Sequence, residues 1–204
     1  MNAPPRRLAA VGCRAHTGWA ALVVIAGDAA HLDVVARHRI ELADPAGGVP
    51  RAVYQRSRGL QLAEAAARVT TAEGIATERA AAALGSAIRQ AGDAGLLVRR
   101  CGVVVGNLSA AVPLESILAS HALAHAAEGR LYQEALLDGA QASGLDPIAV
   151  ARASIWDEAC WSLGVSVEEL KRRIGDLRRE VGAPWAEDQK LAALAALLAL
   201  AAPA

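Results

Sequence analysis

LAAVGCRAHTGWAALVVIA, residues 8–26, holds two short apolar runs that are joined by a polar turn. The first run, residues 8–13, and the Val-, Leu- and Ile-rich second run, residues 19–26, each have the length and composition of a buried strand. After a further turn signal, residues 32–41 alternate between apolar and polar side chains. The side chains expected on one face of this third segment are Leu32, Val34, Ala36, His38 and Ile40. Together the three segments predict a meander of antiparallel strands.

The rest of the chain predicts helices that alternate with two more strands. Residues 54–95 have a helical pattern, with a break expected at residues 70–74. The segment CGVVVG, residues 101–106, indicates a short buried strand, and residues 114–143 indicate one long helix. The remaining segments are a weak strand at 148–153, helices at 156–163 and 167–181, and a last helix that Pro184 opens.

This order predicts a single α/β domain over residues 1–204. We expect a mixed five-stranded sheet, with three antiparallel strands followed by parallel strands, flanked by helices and ending in a helical C terminus. The strand meander occupies residues 1–44 and a helical crossover occupies residues 54–95. Strand-helix units and the C-terminal helices fill residues 101–204.

Composition excludes some classes of protein. Lys plus Arg and Asp plus Glu number 21 each, so no bulk charge attracts the protein to nucleic acid, although local basic patches remain open. Three cysteines without a pairing pattern argue against a disulfide framework and fit the reducing cytoplasm. The apolar stretch before Cys13 is shorter than the roughly 7–15 residues of a signal-peptide core. The apolar C-terminal run is also too short to cross a bilayer, for which about 20 residues are needed, and predicts a core helix with no membrane contact.

Asp188 stands at the head of that last, almost entirely apolar helix. A helix so apolar is buried along most of its length, and its polar first turn therefore lies against the fold. A carboxylate there is either a partner of the helix dipole or a site residue. The sequence leaves both interpretations open.

Three stretches resemble the RuvC-type Holliday junction resolvases, a branch of the ribonuclease H-like superfamily, in a divergent bacterial form. They are the hairpin VGCRAHTGWAALVV at residues 11–24, the strand at residues 103–107 with the helix after it, and DQKLAALA at residues 188–195. The resemblance implies a ribonuclease H-like fold and action on nucleic acid. It also implies about four carboxylates around two divalent ions that bind the scissile phosphate and activate water.

The family's carboxylate positions are mostly occupied by other residues here. The first-strand aspartate falls at Arg14, or at His16 if the gap is moved, and the fourth-strand carboxylate falls at Asn107. The last helix keeps Asp188, whereas its partner position holds Leu191. A guanidinium at Arg14 repels metal ions, so the usual two-ion arrangement is not expected.

A rearranged metal site is one alternative. His121, His125 and Glu128 have the i, i+4, i+7 spacing of one helical face, which His16 and Asp188 are expected to approach. The metal ligands would then be His121, His125, Glu128 and Asp188, and the ion Mn²⁺ or Mg²⁺, or Zn²⁺ given the imidazoles. The other interpretation of the helical spacing is a solvated face.

The same hypothesis assigns roles beyond metal ligation. Glu128, Asp188 and His16 are the candidate catalytic residues, and Arg14, Asn107 and Lys190 are the candidate substrate contacts. For the last three, a structural ion pair, a turn and a surface lysine are the alternatives.

Two functions follow from these interpretations. The first is a RuvC-like protein that acts on nucleic acid, as a metal-dependent nuclease with a rearranged site. The alternative is a degenerate ribonuclease H-like scaffold that acts by binding or dimerisation, because Arg14, Asn107 and Leu191 each replace a carboxylate. The expected partners are therefore nucleic acid and, as a homodimer, a second copy of the chain.

Overall fold

One mixed sheet forms the centre of the molecule. The computed structural model describes residues 7–27, 31–106 and 112–202. Within them lie strands β1 (Arg7–His16), β2 (Trp19–Gly27), β3 (Leu32–Glu41), β4 (Leu96–Val105) and β5 (Asp146–Ala151). Their spatial order is β3-β2-β1-β4-β5, with β1 to β3 antiparallel and with β4 and β5 parallel to β1. The predicted architecture, three antiparallel strands followed by parallel ones, is confirmed.

Helices cover both faces of this sheet. They are α1 (Val53–Ser57), α2 (Leu62–Asp93), α3 (Leu114–Ala119), α4 (His121–Ala142), α5 (Ile155–Leu163), α6 (Val167–Val181) and α7 (Glu187–Ala201). One apolar cluster joins the sheet to α2 and α4, and a second cluster joins it to α5, α6 and α7. We call the two sides the α2–α4 face and the α7 face. Within the described residues, no helix is both long and apolar enough to span a membrane.

Alternation along β1 decides which side chains reach which face. Val11 and Cys13 lie in the cluster of the α2–α4 face. Gly12 lies against α7, and because successive side chains of a strand point to opposite faces, Arg14 and His16 share its side. Arg14 and His16 are therefore directed toward the last helix.

Two glycines let α7 approach the sheet closely. Gly12 and Gly102 are partners on the neighbouring strands β1 and β4. A Cβ atom at Gly12 would collide with the carbonyl oxygen of Ala192, and one at Gly102 with that of Ala195. The alanine-rich helix thus packs against bare backbone, which explains how it is buried on all sides, as its sequence predicts.

The helices break at other points than the sequence predicts. No break occurs at residues 70–74: α2 is continuous, and the Thr71 hydroxyl donates to the carbonyl of Ala67, 2.9 Å away, instead of capping a new helix. The segment expected as one helix at 114–143 is instead divided at Ser120. Its hydroxyl accepts the backbone N–H of Leu123 and begins α4.

A bulge in β3 divides the face that the alternation predicts. The register with β2 shifts between Val24 and Ile25. As a result Leu32 and Val34 pack on the α7 face, whereas Ile40 packs on the α2–α4 face. An extra residue in one strand reverses the direction of every side chain beyond it.

The connection from α6 to α7 is held from two sides. Ser166 caps α6 as predicted, its hydroxyl accepting the backbone N–H of Glu169 at 3.2 Å. The Trp185 indole N–H donates to the carbonyl of Ile174 at 2.7 Å. From β3, the Arg37 guanidinium donates to the carbonyls of residues 182–184. These contacts fix the point at which α7 begins.

Candidate functional site

The first turn of α7 meets the edge of the sheet where the parallel strands end. Because β1, β4 and β5 are parallel, their carboxyl ends share that edge. α7 begins beside the end of β1 and runs back across the sheet, so that Ala202 accepts a hydrogen bond from Arg100 in the middle of β4. We call this region the α7 edge and define it by Arg14, His16, Trp19, Arg39, Arg152, Glu187 and Asp188.

His16 and Asp188 form a hydrogen-bonded pair at the centre of the α7 edge. His16 Nε2 lies 2.7 Å from Asp188 Oδ1. Their side chains are 35% and 30% exposed, so the pair is partly shielded but open to solvent. Asp188 is also in the first turn of α7, where the helix dipole favours a carboxylate. The carboxylate orients the imidazole, and an imidazole held in this way is suited to accept or donate a proton.

A three-layer stack supports the His16 ring. The rings of His16 and Trp19 are parallel within 9°, with centroids 4.4 Å apart. On the other face of Trp19, the Arg39 guanidinium carbon lies 3.7 Å from the ring centroid. Glu41 holds this arginine at 3.0 Å and also binds Arg51 at 3.1 Å. With both faces covered, Trp19 orients His16 and has no free face for a nucleic acid base.

Arg14 is the partly buried cation of the α7 edge. Its Nη1 donates to the carbonyl of Ala15 at 2.9 Å, and its buried Nε has no hydrogen-bond partner. Burial, and then the nearby Arg152, lower the pKa of the Arg14 guanidinium, whereas Asp188 and Glu187 raise it. Arg14 thus lies among charges of both signs, and the nearby Asp188 is hydrogen-bonded to His16.

A second arginine approaches from the segment after β5. The backbone N–H of Arg152 donates to the carbonyl of Val105, and its guanidinium binds Glu187 at 2.9 Å. Lys190, a predicted substrate contact, lies partly exposed in the same first part of α7. Asn107, the other predicted contact besides Arg14, lies outside the described residues.

Sequence reasoning missed four members of the α7 edge, Trp19, Arg39, Arg152 and Glu187. Trp19 lies directly opposite His16 across the hairpin turn. The short spacing of the two residues about this turn is the signal in the sequence that predicts their contact. Arg39 contacts Trp19 only because the bulge in β3 determines on which face of the sheet the Arg39 side chain lies. For Arg152 the sequence carries no signal, because its place depends on the parallel alignment of β5 with β4.

Glu128 lies on the α2–α4 face, where it stabilises the start of a short helix. Its side chain is 1% exposed, and its Oε1 accepts the backbone N–H of Gln55 at 3.1 Å. Burial raises the pKa of Glu128, and the N–H groups of Gln55, Tyr54 and Val53 oppose this effect. The Oε2 atom has no hydrogen-bond partner. The buried carboxylate thus tethers α4 to α1.

The two histidines of α4 face solvent. His121 Nδ1 lies 3.1 Å from Gln55 Oε1, and Gln55 donates back to the carbonyl of His121 at 3.0 Å. His125 is exposed one turn later. The helical spacing is real, but it places two exposed imidazoles next to one buried carboxylate.

The structure therefore separates the predicted metal ligands into two groups. His121, His125 and Glu128 belong to α4 on one face of the sheet, whereas Asp188, with His16, lies on the other face. Across residues 7–27, 31–106 and 112–202, no three His, Cys, Asp or Glu side chains lie close enough to hold one metal ion. The composite site is not brought together, because its two helices pack on opposite sides.

The α7 edge itself does not fit a pair of divalent ions either. Glu187 and Asp188 are its two carboxylates. Glu187 already contacts the Arg152 guanidinium, and Asp188 already contacts the His16 imidazole. Arg14 adds a positive charge beside both. A two-ion site needs several free carboxylates, and this edge supplies none without a competing partner.

Comparisons with known proteins point to one fold. No model of a known protein family matches the chain, and no curated protein matches it. T. thermophilus RuvC in complex with a Holliday junction substrate is similar, with a TM-score of 0.54 and 13% identity over 94% of this chain and 92% of that chain. A Thermus thermophilus RuvC structure gives a TM-score of 0.52 and 14% identity, with the same coverage of both chains.

The sheet order, the flanking helices and these comparisons define a ribonuclease H-like fold. Within that class the fold is RuvC-like, as the hairpin, fourth-strand and last-helix motifs predict. At this level of identity the likeness establishes the fold.

Proposed function

We propose that this protein acts on nucleic acid by binding its phosphate backbone at the α7 edge. The observation that carries the proposal is the convergence of Arg14, Arg39 and Arg152 around the His16–Asp188 pair, at the end of the sheet in a RuvC-like fold. The similar RuvC structure is a complex with a Holliday junction substrate, so one protein of this fold engages branched DNA. Branched DNA is thus the first ligand to test.

Local charge supports the proposal where bulk charge does not. The chain has no net charge, so it has no general attraction for polyanions. Arginine side chains gathered at one edge nevertheless give a polyanion a place to dock, and guanidinium forks match phosphate oxygens. Binding of this kind releases counterions and weakens as salt rises.

Fluorescence anisotropy with labelled four-way-junction DNA, single-stranded DNA and RNA tests the proposal. We expect wild-type binding whose affinity falls with salt. Lys190→Ala should weaken binding to all sequences alike and reduce the slope of log K against log salt by about 1, as loss of one phosphate contact does. Arg68→Ala is the control, because Arg68 is a surface cation of α2 on the opposite face and is paired with Glu64.

Two results would contradict the proposal. The first is the absence of wild-type binding at low salt to all three nucleic acids. The second is an equal effect of Lys190→Ala and Arg68→Ala, which would place the bound nucleic acid away from the α7 edge.

Cleavage of nucleic acid is the second candidate function, and the His16–Asp188 pair is the observation that favours it. A carboxylate that orients an imidazole equips the ring as a general base. We expect such a nuclease to lose cleavage on His16→Ala and on Asp188→Asn. Incubation of the same labelled substrates with Mg²⁺, Mn²⁺, Zn²⁺ or EDTA measures it. If cleavage survives Asp188→Asn, or if no cleavage occurs under any of these conditions, nucleic acid binding without cleavage remains the proposed function.

A homodimer remains a prediction from the sequence. Light scattering of the protein alone and with junction DNA gives the number of chains in each state. A four-way junction offers paired arms, so a dimer would bind it with two α7 edges.

A further inference from the structure

Arg14 and Arg152 of the α7 edge lie near the same turn of α7. Glu187 and Asp188 are consecutive in α7, and their contacts tie Arg152 and His16 to the same helical turn. Arg14 precedes His16 by two residues on the same face of β1 and completes this group. The α7 edge thus draws guanidinium groups from two strand ends toward one place.

The surroundings of Arg14 are suited to an added negative charge. Burial and then the nearby Arg152 lower the pKa of Arg14, Asp188 and Glu187 oppose this effect, and the buried Arg14 Nε has no hydrogen-bond partner. An anion between the two guanidiniums would screen their repulsion and offer acceptors to their N–H groups. A divalent cation at the same place would add to the repulsion.

We propose that Arg14 and Arg152 form a phosphodiester-binding site that works without a divalent ion. This inference rests on the proposed function, and it names the ligand chemistry and the ion requirement of that site. A phosphodiester carries one negative charge over two non-bridging oxygens, which suits two guanidinium forks.

The contact between Arg152 and Glu187 does not block this site. The two side chains are 54% and 71% exposed, and an exposed ion pair contributes little to stability. A phosphate can therefore displace Glu187 from the guanidinium. His16 stays bonded to Asp188 beside the bound phosphate.

The test measures binding of labelled junction DNA, by anisotropy, in EDTA and in Mg²⁺. We expect the same wild-type affinity in both buffers, once ionic strength is matched. Arg14→Gln and Arg152→Gln should each weaken binding roughly tenfold in both buffers, since each removes a charge-assisted contact. Arg14→Lys keeps the charge but loses the fork, so it should lie between wild type and Arg14→Gln.

Controls separate the site from the fold. Arg68→Gln, on the α2–α4 face, should leave affinity unchanged. A thermal melt checks each variant, and because Arg152 is exposed, Arg152→Gln keeps the test valid if Arg14→Gln does not fold. Inorganic phosphate and a mononucleotide, added as competitors, distinguish a site for free phosphate from one that needs the polymer: displacement of DNA only by oligonucleotide supports the backbone as ligand.

The outcomes distinguish this inference from the proposed function. Binding that requires Mg²⁺, or that neither glutamine variant weakens, would overturn the inference and leave nucleic acid binding intact. Displacement of DNA by equimolar free phosphate would overturn the polymer as ligand. No binding in either buffer would overturn both.

Discussion

The turn at residues 17–18 places His16 and Trp19 opposite each other in the first hairpin. Side chains paired across two antiparallel strands lie on one face, which allows the two rings to stack. Arg39, on the next strand, covers the remaining face of Trp19. Single residues on three strands therefore build the support of the His16–Asp188 pair.

Removal of the central ring of this stack should destabilise the protein. We expect Trp19→Leu to lower the free energy of unfolding by about 1–2 kcal/mol, because it removes an aromatic stack and a cation–π contact. Urea denaturation followed by circular dichroism measures the change. Trp161→Leu is the matched control, since Trp161 is 89% exposed and should change stability by less than about 0.5 kcal/mol. Equal effects of the two substitutions would show that the stack contributes nothing.

Glu128 should make stability depend on pH. Burial raises the pKa of Glu128 above the ordinary 4.5, so the folded protein holds this proton more tightly than the unfolded chain. The stability that belongs to the protonated form is present below pH 4.5 and is lost as pH rises through the higher folded pKa. Glu128→Gln does not titrate. Wild type should therefore lose stability relative to Glu128→Gln as pH rises from about 4 to 7.

Denaturation curves at several pH values measure this difference. Glu78→Gln is the control, because it makes the same substitution at an exposed position of α2. A constant difference between wild type and Glu128→Gln over the same range would contradict a raised pKa.

His121, His125 and Glu128 also mark what spacing along a helix can and cannot predict. The i, i+4, i+7 positions correctly indicate neighbouring side chains. The direction of these side chains depends on the packing of α4 against α1 and α2, and the spacing does not predict that packing. Asp188 differs because the apolar run behind it fixes α7 as a buried helix, and its first turn then has to meet the sheet.

Among the elements, α7 depends most on the strands beneath it. Gly12 and Gly102 leave no side chain between the helix and the sheet, so the alanines of α7 contact strand backbone. This close packing also fixes the height of Asp188 above the end of β1. Contact at the α7 edge is therefore sensitive to volume added under the helix.

A methyl group at Gly102 should displace α7. We expect Gly102→Ala to lower the free energy of unfolding by about 1–3 kcal/mol, because its Cβ collides with the backbone of Ala195. Gly74→Ala is the control: nothing lies near a Cβ at Gly74 in α2, and alanine there should raise stability by about 0.5–1 kcal/mol. Chemical denaturation compares the two. A Gly102→Ala protein as stable as wild type would mean that α7 lies farther from β4.

Helix boundaries were the least predictable elements. The cluster at residues 70–74 has the residues of a break, yet α2 continues because Thr71 bonds within its own helix. The division occurs at Ser120, which is itself the capping residue. The apolar pattern continues on both sides of Ser120, so it does not indicate a break there. Local residue preferences compete with packing, and along α2 the packing against α4 prevails.

For the whole molecule, the order of strands and helices was sufficient to predict the fold. Three consecutive strands joined by short turns predict an antiparallel meander, and helical crossovers predict parallel neighbours. The site was less predictable because it depends on which face of the sheet each helix covers. The sequence placed His16 near the last helix, but it gave no sign that α4 packs on the opposite side.

The molecule thus has a RuvC-like fold, and its α7 edge is rich in arginine. The family resemblance implies a first-strand carboxylate at Arg14, or at His16 if the gap is moved, and Arg152 approaches from the segment after β5. An edge of this composition favours phosphate over metal ions.

A crystal structure of the protein with junction DNA, grown in the presence of Mn²⁺, tests this account most directly. The predicted result is a backbone phosphate with oxygens about 2.7–3.2 Å from the guanidinium nitrogens of Arg14 and Arg152, and no ion on Asp188. DNA bound on the α2–α4 face, or Mn²⁺ between Asp188 and the phosphate, would contradict it.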